Sequence, residues 1–86
     1  MDINSLNLII EKKISQNISC KKIIIEDKTY LHKNHKGHEK NKFHIKLIIR
    51  SDELLKMNRI ESTKKIYKIL DEEIKKHIHS LQILIN

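Results

Sequence analysis

The stretch FHIKLIIRSD, residues 43–52, decides the fold of this 86-residue chain. Every second side chain from Phe43 to Ile49 is apolar, and this alternation predicts a β-strand with one buried face. Ser51 and Asp52 follow at once and have the character of a helix N-cap and a first-turn acid. A strand that passes directly into a helix indicates an architecture that mixes both element types.

Two elements are predicted on the N-terminal side of this stretch. Residues 22 to 31 are rich in β-branched side chains and predict a first strand, paired antiparallel with the second. Apolar residues recur at every fourth position from Leu6 to Ile18, which predicts an amphipathic helix. That helix is expected to run from Asn4 to about Ile18, with Asp2 or Asn4 as its cap.

On the C-terminal side, a short helix through Met57 is followed by a longer one. A cap at Ser62 or Thr63 is expected to open this longer helix, which ends near His77. Residues 78 to 85 alternate again and predict a third strand. The order helix, strand, strand, helix, helix, strand defines an α+β fold, a three-stranded sheet with helices on one face.

Composition limits the kinds of protein that fit. A chain of 86 residues is expected to form one domain, 1–86, with a modest core. The formal net charge is +7, yet all basic residues except Arg50 and Arg59 are lysine, so the charge is weak evidence for a nucleic-acid partner. Cys20 is the only cysteine, which excludes an internal disulfide and favours a reducing compartment.

No apolar run approaches the roughly 18 residues of a membrane span, and the N-terminus is unlike a signal peptide. We therefore expect a cytoplasmic protein without membrane contact. Catalysis is not expected, because no nucleophile and base stand at informative spacing and no phosphate-binding glycine loop occurs. The acidic run 71–73 is explained by solvation and by pairing with Lys75 and Lys76.

Several short segments resemble the BolA-like protein family in order and spacing. Residues 27–32, DKTYLH, are similar to the family's acidic-x-Ser-x-x-His/Cys segment. The pair HI at 44–45 and the pair SD at 51–52 resemble its His-Phe strand and its Ser-Asp turn. The segments EEI at 72–74 and HSL at 79–81 resemble its Glu-Glu-Leu/Ile and His-Ala/Gly-Leu signature. Their agreement with the element order makes the combination specific.

The resemblance implies a fold similar to the class II KH domain and an adaptor role with monothiol glutaredoxins. Family members share a 2Fe-2S cluster with the glutaredoxin cysteine and glutathione. For this chain we expect no cluster when it is isolated, and a monomer or weak homodimer when it is alone. Carried over by position, the metal ligands are His79 at the start of the last strand and His32 after the first. His35 and His38, in the same loop, are alternates to His32.

The residues alone leave other interpretations of these histidines open. His79 has the parity of Leu81 in the last strand, so a satisfied core histidine is an alternative to a ligand. His44 falls on the parity opposite the apolar stripe and is interpreted as a surface or partner-contact residue. His77 suits the negative end of a helix dipole. Cys20 precedes the first strand, so the family's thiolate ligand does not map onto it.

Two other functions compete with the adaptor. Some family members are DNA-binding transcriptional regulators of stress response and cell morphology, and the residues here would be Arg59, Lys64, Lys65 and Lys68. The chain departs from the family at 54–56 and 62–64, where it lacks Phe-x-Gly and Arg-His-Arg, and this lowers the expectation of DNA binding. The third function is sequestration of Zn or Ni by the histidines of the loop at 32–38.

Overall fold

The computed structural model describes residues 1–32 and 42–86, except for the side chains of residues 31 and 32. The loop histidines His35 and His38 lie outside the described residues. Within those residues, no helix is both long and apolar enough to cross a bilayer. The elements are α1 (Ile3–Asn17), β1 (Lys22–Asp27), a 3-10 helix (Thr29–His32), β2 (Phe43–Arg50), α2 (Asp52–Leu55), α3 (Arg59–Ile69), α4 (Asp71–Lys76) and β3 (Ile78–Ile85).

The three strands form one sheet in the order β1-β2-β3. Strand β1 runs antiparallel to β2, as the sequence predicts, and β3 runs parallel to β2. Parallel neighbours need a crossover connection, and the helices α2, α3 and α4 supply it between β2 and β3. The central strand β2 therefore fixes the position of both edge strands.

The helices pack on one face of the sheet and bury the alternating side chains of β2. Ile45, Leu47 and Ile49 are at most 2% exposed, which confirms the strand and the face predicted for them. Burial of aliphatic side chains is the main stabilising contribution to a domain of this size. The predicted α+β fold is thus confirmed. The helical side chains of the same core are Leu6, Ile10, Ile14, Leu54, Ile66 and Leu70.

Strand β1 is shorter than predicted because a side chain ends it. The strand stops at Asp27, whose carboxylate accepts hydrogen bonds from the backbone N–H of Thr29, at 3.0 Å, and from its hydroxyl. Such a bond offers the backbone an alternative to the sheet ladder. The chain then turns into the 3-10 helix, so the prediction of a strand as far as residue 31 was wrong.

The predicted cap of the long helix was also wrong. Helix α3 begins at Arg59, and the side chain of Asn58 accepts from the backbone N–H of Glu61 at 2.9 Å. Asparagine three residues before a glutamate is a favourable N-cap arrangement. Ser62, one of the predicted caps, lies inside the helix with 2% exposure and donates to the carbonyl of Arg59 at 3.1 Å.

The long helix is divided at Leu70. This residue leaves the helical region with φ −100° and ψ 17°, and α4 begins at Asp71. Leu70 is fully buried, while the backbone N–H of Ile74 still donates to its carbonyl at 2.9 Å. One predicted helix to His77 is therefore two helices joined at a core residue.

A buried ion pair ties α1 to α4. The ammonium of Lys13 lies 2.8 and 2.7 Å from the two carboxylate oxygens of Glu73, which is only 4% exposed. The bond to Glu73 raises the pKa of Lys13. Solvation was the expectation for the whole acidic run. It is wrong for Glu73, whereas the expected pairs Asp71–Lys75 and Glu72–Lys76 are present at 2.9 and 3.0 Å.

We expect Lys13→Met to destabilise the domain by about 2–3 kcal/mol, because the variant leaves a buried carboxylate without its cation. Loss of one partner of a fully buried pair costs about 3–5 kcal/mol, and the exposed third of Lys13 reduces that cost. Urea unfolding followed by far-UV circular dichroism measures it. The double variant Lys13→Met/Glu73→Leu should recover most of the loss, and a change below about 0.5 kcal/mol in the single variant would contradict a buried pair.

The Lys13–Glu73 pair also predicts a loss of stability at alkaline pH. The pKa of Lys13 is raised above the ordinary value of 10.5, so the pair's contribution to stability is complete below that pH. It is lost as pH rises through the folded-state pKa. The free energy of unfolding of wild-type protein should fall with pH more steeply in this alkaline range than that of Lys13→Met. Parallel curves of unfolding free energy against pH would contradict the assignment.

Candidate metal centre

Three strand ends meet at one end of the sheet. Strand β1 ends at Asp27, which pairs with Ile45 near the start of β2. Strand β3 starts at Ile78, which pairs with Phe43, the first residue of β2. The residues that follow β1 and those that open β3 therefore reach the same end. We call this end the histidine rim, and its side chains are those of His44, His79 and Ser80.

A register shift directs His79 outward. Phe43 pairs with Ile78, and the next residue, His44, pairs with Ser80, so His79 is an extra residue on β3. A bulge of this kind re-aims the side chains beside it. Ile78 stays in the core with 3% exposure, and His79 is exposed. The alternative of a core histidine at 79 is thereby excluded.

His44 is buried beside His79. His44 is only 6% exposed, and its Nδ1 atom lies 2.6 Å from the hydroxyl oxygen of Ser80. The rings of His44 and His79 have centroids 4.8 Å apart and an interplanar angle of 47°. The rim thus holds two imidazoles in direct contact, one buried and one exposed.

The turn after β1 is fastened to the backbone of His44. The backbone N–H of His44 donates to the Thr29 hydroxyl at 3.1 Å, and its carbonyl accepts from the N–H of Lys28 at 2.7 Å. The bonds between Asp27 and Thr29 hold this hydroxyl in place. The 3-10 helix that starts at Thr29 therefore leaves from the rim, and its last residue is His32.

Of the predicted ligands, the described residues include His79 and the backbone of His32. His79 is exposed at the rim, and the backbone of His32 follows β1 at the same end of the sheet. His35 and His38 lie outside the described residues, so the choice among the loop histidines stays a prediction. The imidazole that the structure places against His79 is that of His44, which the sequence analysis left off the ligand set. The spacing along one strand carries no signal for this contact, because it depends on how β2 and β3 are aligned.

Within the described ranges, no three His, Cys, Asp or Glu side chains gather in a group able to hold a metal ion. The thiol of Cys20 is remote from the rim, because its neighbour Lys21 bonds the carbonyl of Arg50 at the opposite end of β2. Cys20 is partly buried, and desolvation raises the pKa of its thiol. The described rim therefore offers imidazole nitrogen as its metal-binding group.

The predicted nucleic-acid residues do not form one patch. All four lie on α3 or at its start, but Arg59 points to a surface cavity of about 250 Å³ against β3. Lys65 and Lys68 line a cleft against α1, and the Lys65 ammonium is held 3.0 Å from the carboxylate of Glu53. Lys64 and Lys68 are exposed at helical spacing i, i+4. The helix thus separates Arg59 from the lysines.

Comparisons of sequence agree with the resemblance. A family model described as BolA-like protein matches residues 14–86. The DNA-binding transcriptional regulator BolA of Haemophilus influenzae is 30% identical over 79 residues, which cover 92% of this chain and 74% of that protein. The family model covers all residues of the histidine rim.

Two solved structures have the same fold. The BolA domain of SufE1 from Arabidopsis thaliana has a TM-score of 0.77 and 24% identity, with 100% of this chain and 93% of that chain covered. BolA1 from Arabidopsis thaliana has a TM-score of 0.73 and 25% identity, with 90% and 85% covered. Given this shared fold and a family model that spans most of the sequence, the chain belongs to the BolA-like protein family.

Proposed function

We propose that this protein is a non-catalytic adaptor that shares a 2Fe-2S cluster with a monothiol glutaredoxin and glutathione. His79 is the cluster ligand contributed by β3. The observation that carries the proposal is the outward position of His79 at the start of β3, beside a buried imidazole. This combination gives a ligand that a partner can reach and that the fold holds in place.

The number of donors at the rim supports a shared centre. A 2Fe-2S cluster takes four ligands, usually cysteine thiolates, and histidine replaces two of them in some centres. The rim provides His79 and, on the resemblance, a loop histidine for which His32 is the predicted residue. A partner that brings thiolates would complete the set. A neutral imidazole coordinates iron through one ring nitrogen and leaves the other to fix the ring.

His44 is suited to positioning His79 because it is itself fixed. Its backbone is bonded on both sides by the turn after β1, and its ring is bonded to Ser80. A buried ring held in this way limits the orientations of the exposed ring packed against it. The hydroxyl of Ser80 replaces the Ala or Gly of the family signature, so this restraint is a feature of the present chain.

A second candidate function is DNA-binding regulation. The relative from Haemophilus influenzae is named as a DNA-binding transcriptional regulator, and the chain carries a net charge of +7. Phosphate contacts dominate the affinity of such proteins. The separation of Arg59 from Lys64 and Lys68 on α3 leaves few cations to act together, so this function has less support from the geometry.

We expect His79→Ala to prevent formation of the cluster-bridged complex. Mixing wild-type protein with cluster-loaded monothiol glutaredoxin and glutathione should change the visible circular dichroism, because an imidazole replaces a ligand of the cluster. His77→Ala is the matched control, a histidine two positions away at the end of α4. An unchanged spectrum with wild-type protein would contradict the proposal, as would a full spectral change with His79→Ala.

We expect Ser80→Ala to weaken the bridged complex by about fivefold while leaving the fold intact. The substitution removes the bond to the buried His44 ring, and a single hydrogen bond contributes about 1 kcal/mol net. The fraction of cluster retained against a chelator measures the effect, and the EPR spectrum of the reduced cluster should broaden. Ser80→Thr keeps the hydroxyl and should behave as wild type. Equal retention by the Ala variant and wild type would refute a positioning role.

For DNA, we expect weak binding with a shallow salt dependence. Lys64 and Lys68 are the two exposed helical neighbours able to contact phosphates together, and two contacts give a slope of log K against log salt of about −2. Titration of a labelled duplex at several salt concentrations measures it, with Lys64→Ala/Lys68→Ala as the paired variant. A slope of about −5 or steeper, unchanged by His79→Ala, would favour the regulator instead.

A further inference from the structure

A row of three aliphatic side chains crosses the sheet face opposite the helices. The register pairs Ile24 with Ile48, and Ile48 with Leu84, so each strand contributes one side chain to what we call the aliphatic row. Ile24 is 37% exposed and Leu84 is 45% exposed. When one face of a sheet packs on the core, the other face normally presents polar side chains to water. Three aligned aliphatic residues are therefore unusual there.

The row lies on the face that the helices leave open. Leu47 and Ile49, the residues on either side of Ile48, are fully buried under the helices. Side chains alternate across a strand, so Ile48 points to the opposite face. The partners of Ile48 in β1 and β3 share that face because paired residues lie on the same side of a sheet.

The aliphatic row and the histidine rim lie along the same face of β2. Along β2, Lys46 and then His44 follow Ile48 on the same face. Four residues of strand span about 13 Å, so the row and the rim fall within the footprint of one protein partner. A partner that approaches His79 can therefore cover the aliphatic row in the same encounter.

The charges around the row favour an acidic partner. Lys22 and Arg50 pair across β1 and β2 on one side of the row, and Lys46 lies on the other side. In the parts of the chain that are described, none of these three cations forms an ion pair. Glu26 also lies on this face, opposite Lys46 in the register, and the ammonium of Lys28 lies 3.8 Å from its carboxylate. Two copies of such a surface would repel each other, so a second copy of this chain is disfavoured.

We propose that the open face, centred on the aliphatic row, is the docking surface for the partner that completes the cluster. The matching surface of that partner has an apolar centre and an acidic border. The apolar centre buries the row, and the acidic border meets the cations on both sides of it. This inference rests on the proposed function and assigns to it the surface of contact.

Two kinds of variant test the surface. Ile24→Thr/Leu84→Thr removes aliphatic area and keeps side chains that favour strands. Lys46→Glu reverses a charge at the border of the row, opposite Glu26, and leaves the three aliphatic residues unchanged. Leu8→Thr/Ile60→Thr is the matched control, because these residues are 69% and 68% exposed on the helices α1 and α3. The probe is a monothiol glutaredoxin without cluster, and its dissociation constant is measured by isothermal titration calorimetry at two salt concentrations.

We expect the row variant to raise the dissociation constant at least about tenfold, as loss of a central apolar contact does in other interfaces. Lys46→Glu should raise it by a similar factor and flatten its salt dependence. The control variant should bind as wild type does. Equal binding by wild type, the row variant and Lys46→Glu would overturn the docking surface.

The proposed function fails in a distinguishable way. If wild type binds the glutaredoxin and forms the bridged cluster while the row variant does the same with equal affinity, only the docking surface is wrong. If wild type shows neither binding nor a cluster spectrum, the adaptor function itself is wrong. Sedimentation of wild type alone should show a monomer. A dimer that the row variant dissociates would assign the face to a second copy and overturn the proposal.

Discussion

The register shift between Phe43 and His44 is the constraint on which the candidate metal centre depends. Without the extra residue, His79 would share the side of β3 that Leu81 and Ile83 present to the helices. The shift lets Ile78 stay in the core while the next side chain turns outward. An aliphatic anchor thus holds the strand in position and a polar residue beside it becomes available to a partner. The rest of the rim reinforces this arrangement from β1 and β2.

The sequence predicts the parts of the fold that depend on periodic burial. The strand from Phe43 to Arg50, the helix ending at Asn17 and the last strand all follow from apolar spacing. Two of the errors occur where one polar side chain overrides the pattern. Asp27 ends β1 early, and Asn58 starts α3 earlier than the predicted caps. Several nearby polar side chains could form such a bond, and local geometry decides which of them does. The sequence alone does not show that choice.

The candidate site was predictable only in part for a similar reason. The family resemblance predicts His79 as a ligand, but parity along β3 left a core histidine as the alternative, because a bulge cannot be seen in the spacing of a single strand. His44 was missed as a neighbour of His79 since their contact depends on how β2 and β3 are aligned. The buried partner of Lys13 was missed because α1 and α4 are distant in sequence. All three features depend on contacts between residues that are distant in sequence.

The proposed ligand His79 and the proposed docking surface lie at one end and on one face of the same small sheet. The core is filled by the helices and one sheet face, so the rim and the open face remain for a partner. An exposed ligand supported by a buried ring, next to an aliphatic row bordered by cations, offers both coordination and contact area. On the proposed function, association with the partner determines whether the cluster binds, which is the property expected of an adaptor.

Nitrogen hyperfine spectroscopy tests the central claim most directly. The chain is prepared with 15N-labelled histidine, combined with unlabelled monothiol glutaredoxin carrying the cluster and glutathione, and reduced. The account predicts couplings from a directly bound 15N nucleus, which are lost with His79→Ala and kept with His77→Ala. Spectra that show no 15N coupling from this chain would contradict the account, because they would mean that its imidazoles do not bind the cluster.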